Sequence, residues 1–410
     1  MADITFAQLK DATAGRAVAL RSRMTLVPAG GPEDKVFPPS YADTGPDGHK
    51  YAVETRQIED RQVDTILLDS VASQANRAEL ALLEGWHSKE LQFPLAYVDF
   101  GGEEEVSDIG KLTVLEAPHR IMDAIFRDSL LGGTLFRLSD VGMAITDANP
   151  RDASDLFRYS PTALLFGVWD STGPKGGLGS KFQRSYVSEI VGLDAKIGVK
   201  VGSRLDPLQI ERLSAKDVIY DHKDEQQVWT FNPEEAKDTK DKKTQSSQPS
   251  KINHGNIPPQ IDKETGGVTI SKAVQTTVIS LAGIRKLRFG ERNTARDSAV
   301  HTAIAALGLA AIAYQYEMDY DLRSRCLLLP IEPPKLELLA RDGSAPEEFS
   351  ISTQGAADIL KQAADGAAAA GLSWETSETK LRLTPAAKLV ELIGRSRNMS
   401  KLDKPTLEDN

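Results

Sequence analysis

The chain has 410 residues, is 40% hydrophobic and carries a formal net charge of -10, enough apolar content for one large decorated core or two smaller ones. That balance excludes a disordered or fibrous chain, and the acidic excess excludes a protein that coats nucleic acid through bulk charge. A single cysteine, Cys326, excludes a disulfide framework and a four-cysteine zinc site; next to Leu327, Leu328 and Leu329 it reads as a small buried residue in a reducing cytosol.

The first residues, MADITFAQLK, have no basic start leading into an apolar run. No stretch approaches the roughly 18 apolar residues of a membrane span, so a cytoplasmic protein without a membrane partner is expected. An amphipathic turn or helix is predicted around Phe6 to Ala12, then AVALRSRMTLV alternates as a strand with Arg21 and Arg23 on one face. FPPSYADTGPDGHKY, rich in Gly, Pro and Asp, reads as a long loop. TILLDSVASQANRAELALLEG has apolar residues at helical spacing (Leu67, Leu68, Val71, Ala75, Ala78 and Leu82), which places Ser70, Ser73, Gln74 and Arg77 on the opposite stripe. An ordinary solvated helix face fits that stripe as well as a binding face does.

Residues 99–150 give short apolar runs separated by Gly and acidic clusters and say little about function. The charged, apolar-poor segment EEAKDTKDKKTQSSQPSK marks a flexible insertion over 221–267, flanked by folded parts at 1–220 and 268–410. After it, TTVISLAGIRKLRFGERNTARDSAVHTAIAALGLAAIAYQ is predicted mostly helical with a break or kink at Gly290. The last 90 or so residues alternate CLLLP and KLRLT strands with GAADILKQAADGAAAAG and PAAKLVELIGRSR helices, which fits an α+β fold with a ferredoxin-like sheet under helices.

The densest constellation is SPTALLFGVWDSTGPKGGLGSKFQRSYVSEIVG. Its glycines let backbone amides approach an anion, and Lys175, Lys181 and Arg184 add charge, so phosphate is the natural ligand. A nucleotide-binding loop spacing is absent, and the dinucleotide fingerprint fails because Phe182 stands where its third glycine belongs, which leaves a polynucleotide backbone. A hairpin tip with solvated lysines remains the alternative.

Arg285, Lys286, Arg288, Arg292 and Arg296 lie within twelve residues beside one acid, Glu291, and on a continuous helix four of these arginines would share a face. An acidic partner or simple solubility would use the same face. In KINHGNIPPQ, His254 and Asn256 sit on a proline-stiffened stretch suited to bases or sugars. No serine elbow, zinc-binding helix or metal-ligand histidine spacing occurs, and no cofactor or resident metal is expected. Asp170 is the one candidate acid for metal-assisted cleavage, with a turn role as its alternative.

Together, LLDSVASQANRAE, the Gly-rich segment and KINHGNIPP followed by TTVISLAGIRKLRF resemble the backbone RAMP subunit of type I-G CRISPR surveillance complexes, a Cascade subtype formerly called I-U. The similarity runs from about Phe37 to Gln315. It implies a modified RRM or ferredoxin-like palm with inserted finger and thumb elements. It also implies no catalysis, several copies stacked in a helical filament along one CRISPR guide RNA, contact with other subunits, and target DNA engaged through the guide. On that reading Lys175, Lys181, Arg184, Arg285, Arg288 and Arg292 touch phosphates. Ser73, Gln74, Asn76, Arg77, His254 and Asn256 reach sugars or bases, and Arg21 and Arg23 lie under the RNA on the first palm strand. The aromatic RNP signatures of a standard RRM are missing. A metal-dependent target-RNA endoribonuclease and a protein-only filament are the two other readings.

Overall fold

The computed structural model describes residues 2–45, 48–171, 181–210, 213–224, 226–237 and 247–402. Its main element is an antiparallel sheet built from β1 (Ala17–Pro28), β2 (Val53–Ile58), β3 (Arg61–Asp69), β4 (Tyr186–Leu193), β5 (Lys272–Ile279), β6 (Tyr320–Asp321), β7 (Leu327–Pro330), β8 (Lys335–Ala340) and β9 (Glu347–Phe349). The order is β6-β7-β1-β5-β4-β3-β2, with β8 also on the free edge of β1 and β9 beyond it. Helix α1 (Val71–His87) precedes β4, and helix α2 (Thr294–Tyr316) follows β5. Taken as β1-α1-β4-β5-α2-β8 with spatial order β8-β1-β5-β4, this is the ferredoxin-like arrangement, extended at one side by the β2-β3 hairpin.

Alternation sets the two faces of the sheet. On β1, Leu20, Ser22, Met24 and Leu26 are buried toward the helices, while Arg21 and Arg23 stand on the open face, as the sequence pattern predicts. On β5 the buried set is Ala273, Gln275, Thr277 and Ile279. The sequence pattern predicts helix for most of this run; its β-branched residues instead suit a strand packed on both edges. Likewise Leu67 and Leu68 end strand β3 and do not belong to the helix, which starts where the Ser70 hydroxyl accepts from the Ser73 amide at 3.2 Å.

Helix α2 is apolar on every side and almost wholly buried, the pattern of a core helix. Its length and hydropathy would allow a membrane crossing, contrary to the expectation that no stretch comes near, yet 89% of the apolar window is buried within the protein. Asn293 caps it by accepting from the Arg296 amide at 3.1 Å, and the chain turns just before it at Gly290, whose φ of 78° favours glycine. Cys326 is fully buried, as its leucine neighbours imply.

The C-terminal strand does not join the main sheet. Arg382–Pro385 pairs in parallel with Tyr97–Asp99 and antiparallel with Ser129–Leu131, at the centre of a separate five-stranded sheet. Helices α3 (Thr353–Ala369) and α4 (Ala387–Leu402) flank it in the chain. Between β4 and β5 the chain leaves the sheet as a ribbon: Lys196–Ile197 pairs Val268–Thr269, then Lys200–Arg204 pairs Ile257–Asp262. The ribbon's first strands, at 196–204, thus precede the insertion expected over 221–267 and continue β4 and β5.

Candidate nucleic-acid interface

The stripe on α1 bonds to the protein itself, with Gln74 buried and Ser70, Ser73 and Arg77 half-buried. Gln74 is fully buried; its Nε2 donates to Asp69 at 2.6 Å, and its Oε1 accepts from Ser188 at 3.0 Å, Gln275 at 2.8 Å and Gln315 at 3.2 Å. Ser73 donates to Asp69 at 2.8 Å and Arg77 at 3.0 Å, while Arg323 reaches the carboxylate at 3.1 Å. Arg77 also donates to the Leu322 carbonyl at 2.7 Å. Asp69, with no exposed surface, thus holds two arginines and two polar side chains. The expectation that the stripe looks outward to a ligand is corrected for Gln74, while Ser73 and Arg77 are half-buried and bond to Asp69: a buried carboxylate needs this many donors, so it draws them in. Asn76 alone of the set is exposed.

The arginines near residue 290 do not share a helix face. The short helix Leu281–Ile284 stops, and α2 begins only at Thr294. Arg285 turns back to donate to the carbonyls of Ala12, Thr13 and Ala17 at 3.0 to 3.4 Å, which satisfies the end of the N-terminal helical turn. Arg288 is exposed, donates to its own segment's carbonyls and lies 3.7 Å from Asp297. Arg296 donates to the Glu291 carbonyl. Arg292 is exposed and forms no ion pair among the described residues.

On the open sheet face, Arg21 makes a two-pronged pair with Glu337, at 2.6 and 3.0 Å, and that hydrogen-bonded partner raises its pKa further. Arg23 is exposed beside Lys335, its register partner on β8. On the ribbon, Asn256 accepts from the Asp206 amide at 2.7 Å and the Gly255 amide donates to Asp206 at 2.9 Å, so this segment closes a turn, with His254 half-buried next to it. The loop after β1 clamps the ribbon's root: Lys35 donates to the Val199 carbonyl at 2.7 Å, and Tyr51 accepts from the Gly267 amide at 2.9 Å. Beyond that root the ribbon exposes Val201, Leu208 and Ile261, and Leu205 is 86% exposed.

Lys175 and the glycine-rich centre of its loop lie outside the described residues. The flanks of that loop form a two-stranded hairpin, Val168–Trp169 with Lys181–Phe182. Two buried ion pairs hold its base. Arg137 grips both oxygens of Asp170 at 2.6 and 3.1 Å, and Arg120 grips Glu79 of α1 at 2.6 and 2.9 Å while donating to the Gly167 carbonyl at 3.1 Å. Asp170 has no exposed surface and is half of a buried ion pair with Arg137; most of the turn that follows it in WDSTG lies outside the described residues. Among the described residues, no group of three His, Cys, Asp or Glu side chains is placed to hold a metal ion. Burial pushes the Glu79 carboxyl up to about 7, against the pull of Arg120 and of Arg184 nearby. Lys181 and Arg184 are exposed, and neither forms an ion pair among the described residues.

This hairpin and much of the sheet beneath it fall within a stretch that resembles a known family. Residues 20–197 match the family of CRISPR-associated protein GSU0053. The matched stretch runs from β1 through α1 and the basic hairpin to the first strand of the ribbon. It supports a CRISPR-associated role for the chain. Among curated proteins none matches it. Sequence reasoning missed Asp69 and Glu79 as organising residues; a carboxylate directly before a Ser N-cap, eight positions from an arginine, was the available signal for Asp69.

Proposed function

We propose that the chain is a non-catalytic backbone subunit of a CRISPR interference complex that binds the guide RNA through its phosphates and stacks with copies of itself. The observation that carries this reading is the match of residues 20–197 to a CRISPR-associated family. The ferredoxin-like palm with a projecting ribbon suits a subunit that lies along a strand, and the exposed cations Lys181, Arg184 and Arg292 suit phosphate contact. The exposed apolar side chains of the ribbon suit a neighbouring copy. Assignment to type I-G rests on the order of the three sequence motifs.

The test is RNA binding by the purified protein as salt is varied. Lys175→Ala combined with Lys181→Ala is expected to weaken binding and to flatten the plot of log affinity against log salt by about 1.4 units, since each single-strand phosphate neutralised contributes roughly 0.7. Unchanged affinity and slope would remove this hairpin from the interface. Filaments that assemble free of RNA, with no excess absorbance at nucleic-acid wavelengths, would favour the protein-only reading.

A further inference from the structure

Phosphate contact has no use for Trp169, yet the fold spends several interactions to hold it at the surface. Trp169 is 51% exposed. The other three tryptophans are partly buried: Trp86 packs on the main core, Trp374 lies 5.8 Å from Phe157 and Trp229 5.3 Å from Phe231. The residues around Trp169 are pinned. Val168 and Phe182 are buried below it, and Asp170 is locked by Arg137. Gly167, at φ 80°, sits so close to the Arg184 backbone that a Cβ there would lie 2.7 Å from its nitrogen. Directly across the ladder is Lys181, whose Nζ lies 5.1 Å from the indole centroid. An exposed indole on a strand whose neighbours are pinned, with an ammonium over its ring, offers the two things a nucleotide needs, an aromatic surface for the base and a cation for the phosphate.

We propose that Trp169 is a base-stacking platform, on which one nucleobase of bound single-stranded RNA lies while Lys181 neutralises an adjacent phosphate. The proposal rests on the RNA-binding reading above and adds a contact to the base itself. Stacking of this kind tolerates any sequence, because every base has a π-face. It supplies aromatic contact from the hairpin, where an RRM would supply it from the sheet.

The experiment compares a short oligouridine with an abasic ribose-phosphate chain of equal length, each carrying a terminal dye, binding to the full-length protein and followed by the dye's fluorescence anisotropy. The wild type is expected to prefer the oligouridine. Trp169→Ala should bind it about tenfold more weakly, in line with the removal of one base-aromatic stack, and should bind the abasic chain as the wild type does. The salt slope should stay unchanged, since no charge is removed. Trp169→Phe should recover most of the affinity, which separates stacking from misfolding. Equal binding of oligouridine by Trp169→Ala and wild type overturns the platform while leaving the phosphate reading intact. The same holds if Trp169→Ala disrupts only self-association, which would make the indole a protein contact. A wild type that binds neither chain overturns both readings.

Discussion

At the head of α1, Arg77 and Arg323 converge on the buried Asp69 carboxylate; at the basic hairpin, Lys181 and Arg184 reach solvent from a base fastened by other ion pairs. Both regions are polar and cationic in the sequence. In the first the charges are consumed by the fold, and in the second the fold consumes different charges so that these stay available. Pairing and burial, more than residue type, thus separate cations used by the fold from cations left open to solvent.

The sharpest way to break this contrast is Asp69→Ala. It leaves two half-buried arginines and the Gln74 seam without their acceptor, and breaking a buried pair from one side costs about 3–5 kcal/mol. Urea unfolding of RNA-free protein measures it; a decrease under about 1 kcal/mol would mean that the seam does not hold α1 to the sheet.

Glu79 connects the two regions, since it lies on α1 and fastens the hairpin through Arg120. Its folded pKa, about 7, stands above the ordinary carboxylate value, so the folded state binds the extra proton and stability falls as pH rises between about 4.5 and 7. Glu79→Gln is expected to flatten that dependence of the melting temperature, an effect on the order of a few degrees. A wild-type melting temperature that holds level across the window would contradict the buried-acid assignment.

The smallest stability effect belongs to Arg292→Ala. Exposed and free of ion pairs among the described residues, this side chain should change unfolding free energy by less than about 0.5 kcal/mol. RNA affinity should fall by the electrostatic share of one phosphate contact, and a large stability change would return Arg292 to the structural class.

The fold class was legible in the sequence because β1 and the last helices follow simple periodicities. Alternation placed Arg21 and Arg23 on one face, and Gly290 marked a real break. The stripe on α1 misleads for a physical reason: spacing states which residues share a face, but the direction of that face depends on Asp69, outside the helix. The same holds for Arg285, whose acceptors lie at residues 12 to 17, and for Asp170, whose partner is 33 positions away. Such partners are decided by topology and leave no local trace. Trp169 stands inside the densest motif without being distinguished by it, since exposure is what makes this residue informative and exposure is a property of the fold.

The position of Arg382–Pro385 bears on how the molecule is made. A growing chain presents the strands near residues 97 and 130 long before the strand that joins them has left the ribosome. Their facing edges must wait unpaired, or be shielded, until that strand has emerged. β1 and β4 wait in the same way for β5, which lies between them. The stretch 20–197, which carries the family match, is therefore incomplete as a folding unit: β5 lies outside it, and the strand Arg382–Pro385 closes a sheet begun in the first half.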